Sequence, residues 1–152
     1  TAAGIISLVS YAKRKTLKIS QVSEVAAAYG FPQAAAFPDF IIDALNEGSM
    51  WRQYQAQILE KRLAKGKGQT WIDVAKLQFL GVVEAMDIAD KRKAMGLPSV
   101  APTPAMVAQL QQRSTDMQRA IAGQKQNRQL ILIGGGVAAL VVVFVLLTPR
   151  RS

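Results

Sequence analysis

TWIDVAKLQFLGVVEAMDIADKRKAMG, Thr70 to Gly96, is the stretch around which the chain organises itself. Thr70 and Asp73 have the spacing of a capping box immediately before an apolar periodic run. The run predicts a helix from Trp71 to Met95, with Leu77, Leu80, Val83, Met86 and Ile88 as its apolar positions. Lys91, Arg92 and Lys93 fall in the last turn, where positive charge suits the helix dipole, and Gly96 closes the helix. This is the longest helix predicted before the C-terminal region, and the core is expected to form on it.

Working towards the N-terminus, Gly66, Lys67 and Gly68 make a flexible basic loop. Before it, Ser49 is expected to cap a helix over Met50–Lys65 whose larger apolar residues are Trp51, Tyr54, Ile58 and Leu63. Glu60, Lys61, Arg62 and Lys65 are expected to face water or a partner. Pro38 suits a first helical turn, Asp39 and Asp43 stand one turn apart, and Gly48 should end that helix. Ser20 is placed to cap a short helix over Gln21–Tyr29, ended by Gly30. Ala26 and Gly30 have a helix-turn-helix spacing, but Pro32, Pro38 and the alanines between them leave nothing to read a base edge. Gly4 to Leu17 is a first helix with Ile5, Ile6, Leu8, Val9 and Ala12 on one side and Lys13, Arg14, Lys15 and Lys18 at its end. Such a helix either packs its apolar side into the body, the reading preferred here, or lies on an anionic bilayer. The first residues lack the charged-then-apolar order of a cleavable signal peptide, so Thr1 is expected to be a native N-terminus.

Working the other way, Pro98, Pro102 and Pro104 make Leu97–Pro104 a semi-rigid linker and the clearest internal boundary. Thr103 and Pro104 then supply a cap and a first-turn proline for a long final helix. Its polar half, Ala105–Gln129, carries a rough heptad seam of Val107, Leu110, Ser114, Met117 and Ile121, suited to docking on a neighbour. Fully helical, that half spans roughly 37 Å. Its second half, Leu130 to Thr148, has no charged residue. At 1.5 Å per residue it covers roughly 28 Å, close to the hydrocarbon thickness, and reads as a transmembrane segment. Gly134 with Ala138, and Gly135 with Ala139, have the small-residue spacing that permits close helix approach in lipid. Lys125 and Arg128 precede the segment and Arg150 and Arg151 follow it. With Arg113 and Arg119 added, the balance leans towards a cytoplasmic N-terminal region and a tail anchor.

The expected fold is therefore all-α. Residues 1–96 form a basic helical body, 97–104 a Pro-rich linker, 105–129 a polar stalk, 130–148 a single transmembrane helix and 149–152 a basic tail. The net charge is +9, and +7 without Arg150 and Arg151, which favours anionic partners such as phospholipid headgroups, nucleic acid or an acidic protein face. Lys13, Arg14, Lys15, Lys18, Lys65 and Lys67 are the candidate contacts.

The chain has neither cysteine nor histidine, which removes disulfides, thiolate and imidazole metal sites, and Cys or His catalysis. Asp39 with Asp43, and Glu84 with Asp87, share helix faces, but solvation or ion pairing accounts for such spacing. The glycine-rich segment from Lys65 to Thr70 lacks the spacing of a phosphate loop and has no strand before it. No catalytic, cofactor or metal residues are assigned.

The anchor at Leu130–Thr148, the terminal Arg150-Arg151 and the Cys-free basic body together give an overall plan that resembles the minor membrane proteins of icosahedral bacteriophages with an internal lipid bilayer, of the tectivirus and corticovirus kind. The resemblance is architectural. It implies a non-enzymatic scaffold between a capsid or other shell protein and the virion's internal membrane, with the lipid bilayer and other copies of the chain as further partners. Two other readings stand beside it: a membrane-tethered nucleic-acid binder, and an accessory subunit of a complex in a bacterial inner membrane.

Overall fold

A computed structural model describes residues 2–66, 70–109 and 112. All regular structure among them is helical: α1 (Ala2–Arg14), α2 (Val22–Ala28), α3 (Pro38–Asn46), α4 (Ser49–Ala64) and α5 (Thr70–Ala94), with 3-10 turns at Ile19–Gln21 and Pro32–Ala36. A further helical turn covers residues 104–109.

The body is built on α5, which touches α1, α3, α4 and the Pro32–Ala36 turn. That surround explains its burial. Leu77, Leu80 and Val83 are buried as the periodicity predicts, but Phe79, Val82 and Ala85 are buried too. A helix with neighbours on several sides has no solvent face at mid-length. Met86 and Ile88, nearer the end, are only partly buried.

α1 buries Ile5, Leu8 and Val9 in the core, so its apolar side belongs to the body and not to a bilayer surface. Gly4 is where α1 comes closest to the turn after α2. A Cβ at residue 4 would stand 2.6 Å from the Tyr29 carbonyl oxygen and the Gly30 carbonyl carbon.

Aromatic rings tie the middle of the chain to α5. Phe31 stacks on Phe79 at 6.2 Å, and Phe37 meets Phe31 edge-on at 6.3 Å. Phe40 meets Phe37 at 6.0 Å and Trp51 at 5.7 Å. Lys76 holds its ammonium over Phe37 and Phe40, 5.0 Å from the Phe40 centroid, covering the outer edge of the series.

Two helix ends are alike. After α2, the Gly30 N–H donates to Ala27 O and the Phe31 N–H to Ala26 O; after α5, the Gly96 N–H donates to Lys93 O and the Leu97 N–H to Arg92 O. Both glycines have positive φ (88° and 72°), which completes a Schellman closure. Gly48 differs from expectation. Its φ is −85°, α3 already ends at Asn46, and Gly48 is the N-cap of α4. Ser49 is then inside α4, and its hydroxyl is spent elsewhere. Ser20 likewise does not cap α2: it lies within the 3-10 turn, where the Lys18 N–H donates to Gln21 Oε1.

The Thr103–Pro104 start is as expected, with the Met106 N–H donating to Thr103 Oγ1 at 3.3 Å. The linker before it is not detached from the body. Arg92 Nε donates to Pro98 O at 2.7 Å, Pro102 is buried, and Val107 is part of the core at 1% exposure. Among the described residues no helix is long and apolar enough to cross a membrane. The expected segment at Leu130–Thr148, with Gly134, Gly135, Ala138 and Ala139, lies outside the described residues, as does the stalk from 113 to 129.

Candidate anion-binding end of the helical body

The C-terminal turns of α1 and α5 meet through Lys13. Asp87 and Asp90 are three residues apart on α5 and so share a face. Lys13 Nζ stands 3.0 Å from Asp87 Oδ1 and 2.5 Å from Asp90 Oδ2. Burial draws the Lys13 amine down, but the hydrogen bonds and charges of Asp90 and Asp87 outweigh it and hold the amine above its ordinary value of 10.5.

The other oxygen of Asp87 belongs to Arg52 on α4. Arg52 is 4% exposed, and its Nη2 lies 2.7 Å from Asp87 Oδ2 and its Nε 2.7 Å from Glu84 Oε2. Its Nη1 donates to Glu47 O at 2.7 Å and Ala44 O at 3.3 Å, closing the end of α3. Ser49 Oγ donates to Glu84 Oε1 at 2.5 Å. Asp90, Lys13, Asp87, Arg52, Glu84 and Ser49 thus form one chain of polar contacts across α1, α4 and α5. Glu84 and Asp87, the pair sharing a helix face, both take part in it, and their oxygens are bonded to Arg52, Lys13 and Ser49. Asp39 and Asp43 are simply exposed.

The network brings two basic clusters, far apart in sequence, to one end of the body. Arg14, Lys15 and Lys18 follow Lys13; Lys91 and Lys93 follow Asp90; all five are exposed. None forms an ion pair among the described residues, and Lys15 rests over the Tyr11 ring at 5.8 Å. Arg92 is turned inward to the Pro98 carbonyl.

The predicted contact residues therefore separate. Arg14, Lys15 and Lys18 are exposed in the segment that leaves α1. Lys13 is beside them but ion-paired. Lys65 is exposed at the end of α4, near the start of α5, where Arg62 Nε faces Asp73 Oδ2 at 3.7 Å. From Asp73 to Asp90 the helix runs roughly 25 Å, so Lys65 belongs to the opposite end. Lys67 lies outside the described residues. Lys91 and Lys93 join the exposed basic end although their position in α5 suggested only a complement to the helix dipole; the (i, i+3) spacing of Asp87 and Asp90 is the local signal that a cation from another helix would be drawn there.

Compared with protein-family models, with curated proteins and with solved structures, the chain matches none.

At the opposite end, Asp73 is 1% exposed, and its Oδ2 accepts no hydrogen bond among the described residues. Burial pushes its carboxyl above the ordinary 3.8, against the pull of Arg62 and Lys76. Glu60, expected at the surface, is buried at 5% exposure. No cluster of acidic residues able to hold a metal ion occurs among the described residues.

Proposed function

We propose that the chain is a non-enzymatic, single-pass membrane structural protein that links a lipid bilayer to a protein shell, of the kind found in virions with an internal membrane. The observation that carries this reading is the uncharged 19-residue run from Leu130 to Thr148 following a basic helical body. The fold supports it in one respect: the carboxylate pair that shares a face on α5 is occupied by Arg52, Lys13 and Ser49, which suits a scaffold. The body holds the shell side, the segment at 130–148 holds the bilayer, and its small residues Gly134, Gly135, Ala138 and Ala139 let it pack against another helix or a second copy.

Gradient sedimentation of native material tests this, with lipid and nucleic acid assayed across the fractions. Co-migration with a very large, lipid-containing particle is expected. Migration as a small detergent-soluble complex rejects the linker and favours an accessory subunit of a bacterial inner-membrane complex.

The exposed Arg14, Lys15, Lys18, Lys91 and Lys93 favour a second reading, a membrane-tethered nucleic-acid binder. That reading requires DNA affinity to fall steeply with salt. Affinity unchanged between low and physiological salt removes it.

A further inference from the structure

We propose that the end of the body where α1 and α5 finish is a docking face for anionic phospholipid headgroups, seating the body on the bilayer. The inference rests on the tethered reading above and adds which face meets the lipid.

Two features coincide there. The first is the exposed positive charge of Arg14, Lys15, Lys18, Lys91 and Lys93, none of it ion-paired among the described residues, on the two segments that the Lys13 bridge to Asp87 and Asp90 joins. The second is uncovered apolar surface in the segment leaving α5: Met95 is 67% exposed, Leu97 47% and Val100 45%. The Gly96 turn and the Arg92–Pro98 contact tie this segment to the last turn of α5, which carries Lys91 and Lys93. Cations flanking exposed aliphatic residues match a bilayer interface, where the charges meet phosphates and the aliphatic groups enter the boundary below them. A nucleic-acid surface rewards the cations but gives unstacked aliphatic side chains nothing to bury against.

The chain has no cysteine, so Val100→Cys in the intact 152-residue chain gives a single labelling site. The labelled chain, carrying an environment-sensitive nitrobenzoxadiazole group, is placed in nanodiscs of phosphatidylcholine alone or of phosphatidylcholine with phosphatidylglycerol. Blue-shifted emission, quenched by spin-labelled lipid, is expected only in the anionic discs. Combining Lys18→Gln, Lys91→Gln and Lys93→Gln removes three exposed charges and should lower the docked-to-undocked ratio on the order of a hundredfold. Circular dichroism confirms that this variant keeps its helices.

Identical emission in both discs overturns the proposal, as does an equal shift produced by duplex DNA in neutral discs. Flotation separates this from the tethered reading. A chain that floats with neutral vesicles yet ignores phosphatidylglycerol keeps its anchor and loses its docking face. Salt-sensitive binding to anionic vesicles alone keeps the face and rejects the anchor. Binding to neither rejects both.

Discussion

Arg52 has more depending on it than any other charged side chain described. It neutralises Glu84 and Asp87 and also satisfies two backbone carbonyls at the end of α3. Arg52→Met would leave Glu84 without its cation and Asp87 with Lys13 alone in a partly buried site, a loss of about 3–5 kcal/mol by urea unfolding followed by circular dichroism. Arg52→Lys restores the charge but not the planar fork and should recover only part. Gly4 tests steric closeness. Gly4→Ala drives a methyl group into the Tyr29–Gly30 backbone and should cost about 1–3 kcal/mol, whereas Gly48→Ala, with nothing within 4 Å, should change stability by less than about 1 kcal/mol. Asp73 tests burial. Because its folded carboxyl titrates above 3.8, the native state holds this proton to higher pH than the unfolded chain. Its ionisation therefore costs stability as pH rises through that interval and costs nothing well below 3.8. Asp73→Asn should raise the unfolding midpoint at neutral pH, with the gain shrinking as the pH falls from the raised folded-state value towards 3.8 and gone well below it. A gain that is flat with pH would contradict this.

At the scale of elements, helix ends were more legible than helix faces. Gly30 and Gly96 mark their ends in the sequence because a left-handed residue is needed there, and Thr103–Pro104 marks a start because a hydroxyl acceptor and a preset φ are needed together. Gly48 misled because the same residue type also serves at an N-cap. The faces of α4 misled more. Tyr54 looks like a core residue by size but is 61% exposed, while Arg52 and Glu60 are buried. Apolar periodicity cannot report a helix that packs through a charged network, since the buried residues there are polar. The turn at 104–109 carries its own prediction. Val107→Ala should cost about 1–3 kcal/mol and speed amide exchange from Pro98 to Gln109, because that side chain fastens the turn to the core. Unchanged exchange would mean that Pro102 and the Arg92–Pro98 bond hold the segment without it.

For the whole molecule, the all-helical class follows from periodicity, and the central place of α5 follows from its length and continuous apolar character. The basic end was half legible. Arg14, Lys15 and Lys18 stand out as a run, but their meeting with Lys91 and Lys93 depends on a tertiary ion pair that sequence spacing does not specify. The proline-rich stretch reads as a boundary because prolines resist helix, yet Pro102 is buried and the Pro98 carbonyl is bonded to the body. Local stiffness says nothing about whether an extended segment lies free or against a surface.

The Lys13–Asp87 contact joins residues 74 positions apart. During synthesis, at about 5–20 residues per second, α1 waits roughly 4–15 seconds for the helix that covers it. Until then Ile5, Leu8 and Val9 have only α2 and the turn after it to pack on, a window in which a chaperone has an apolar helix to hold. The core residues described all precede residue 108, so their packing draws on nothing from the segment at 130–148. On the anchored reading proposed above, folding of this core and insertion of the segment at 130–148 are then separable steps, because no described core residue belongs to that segment.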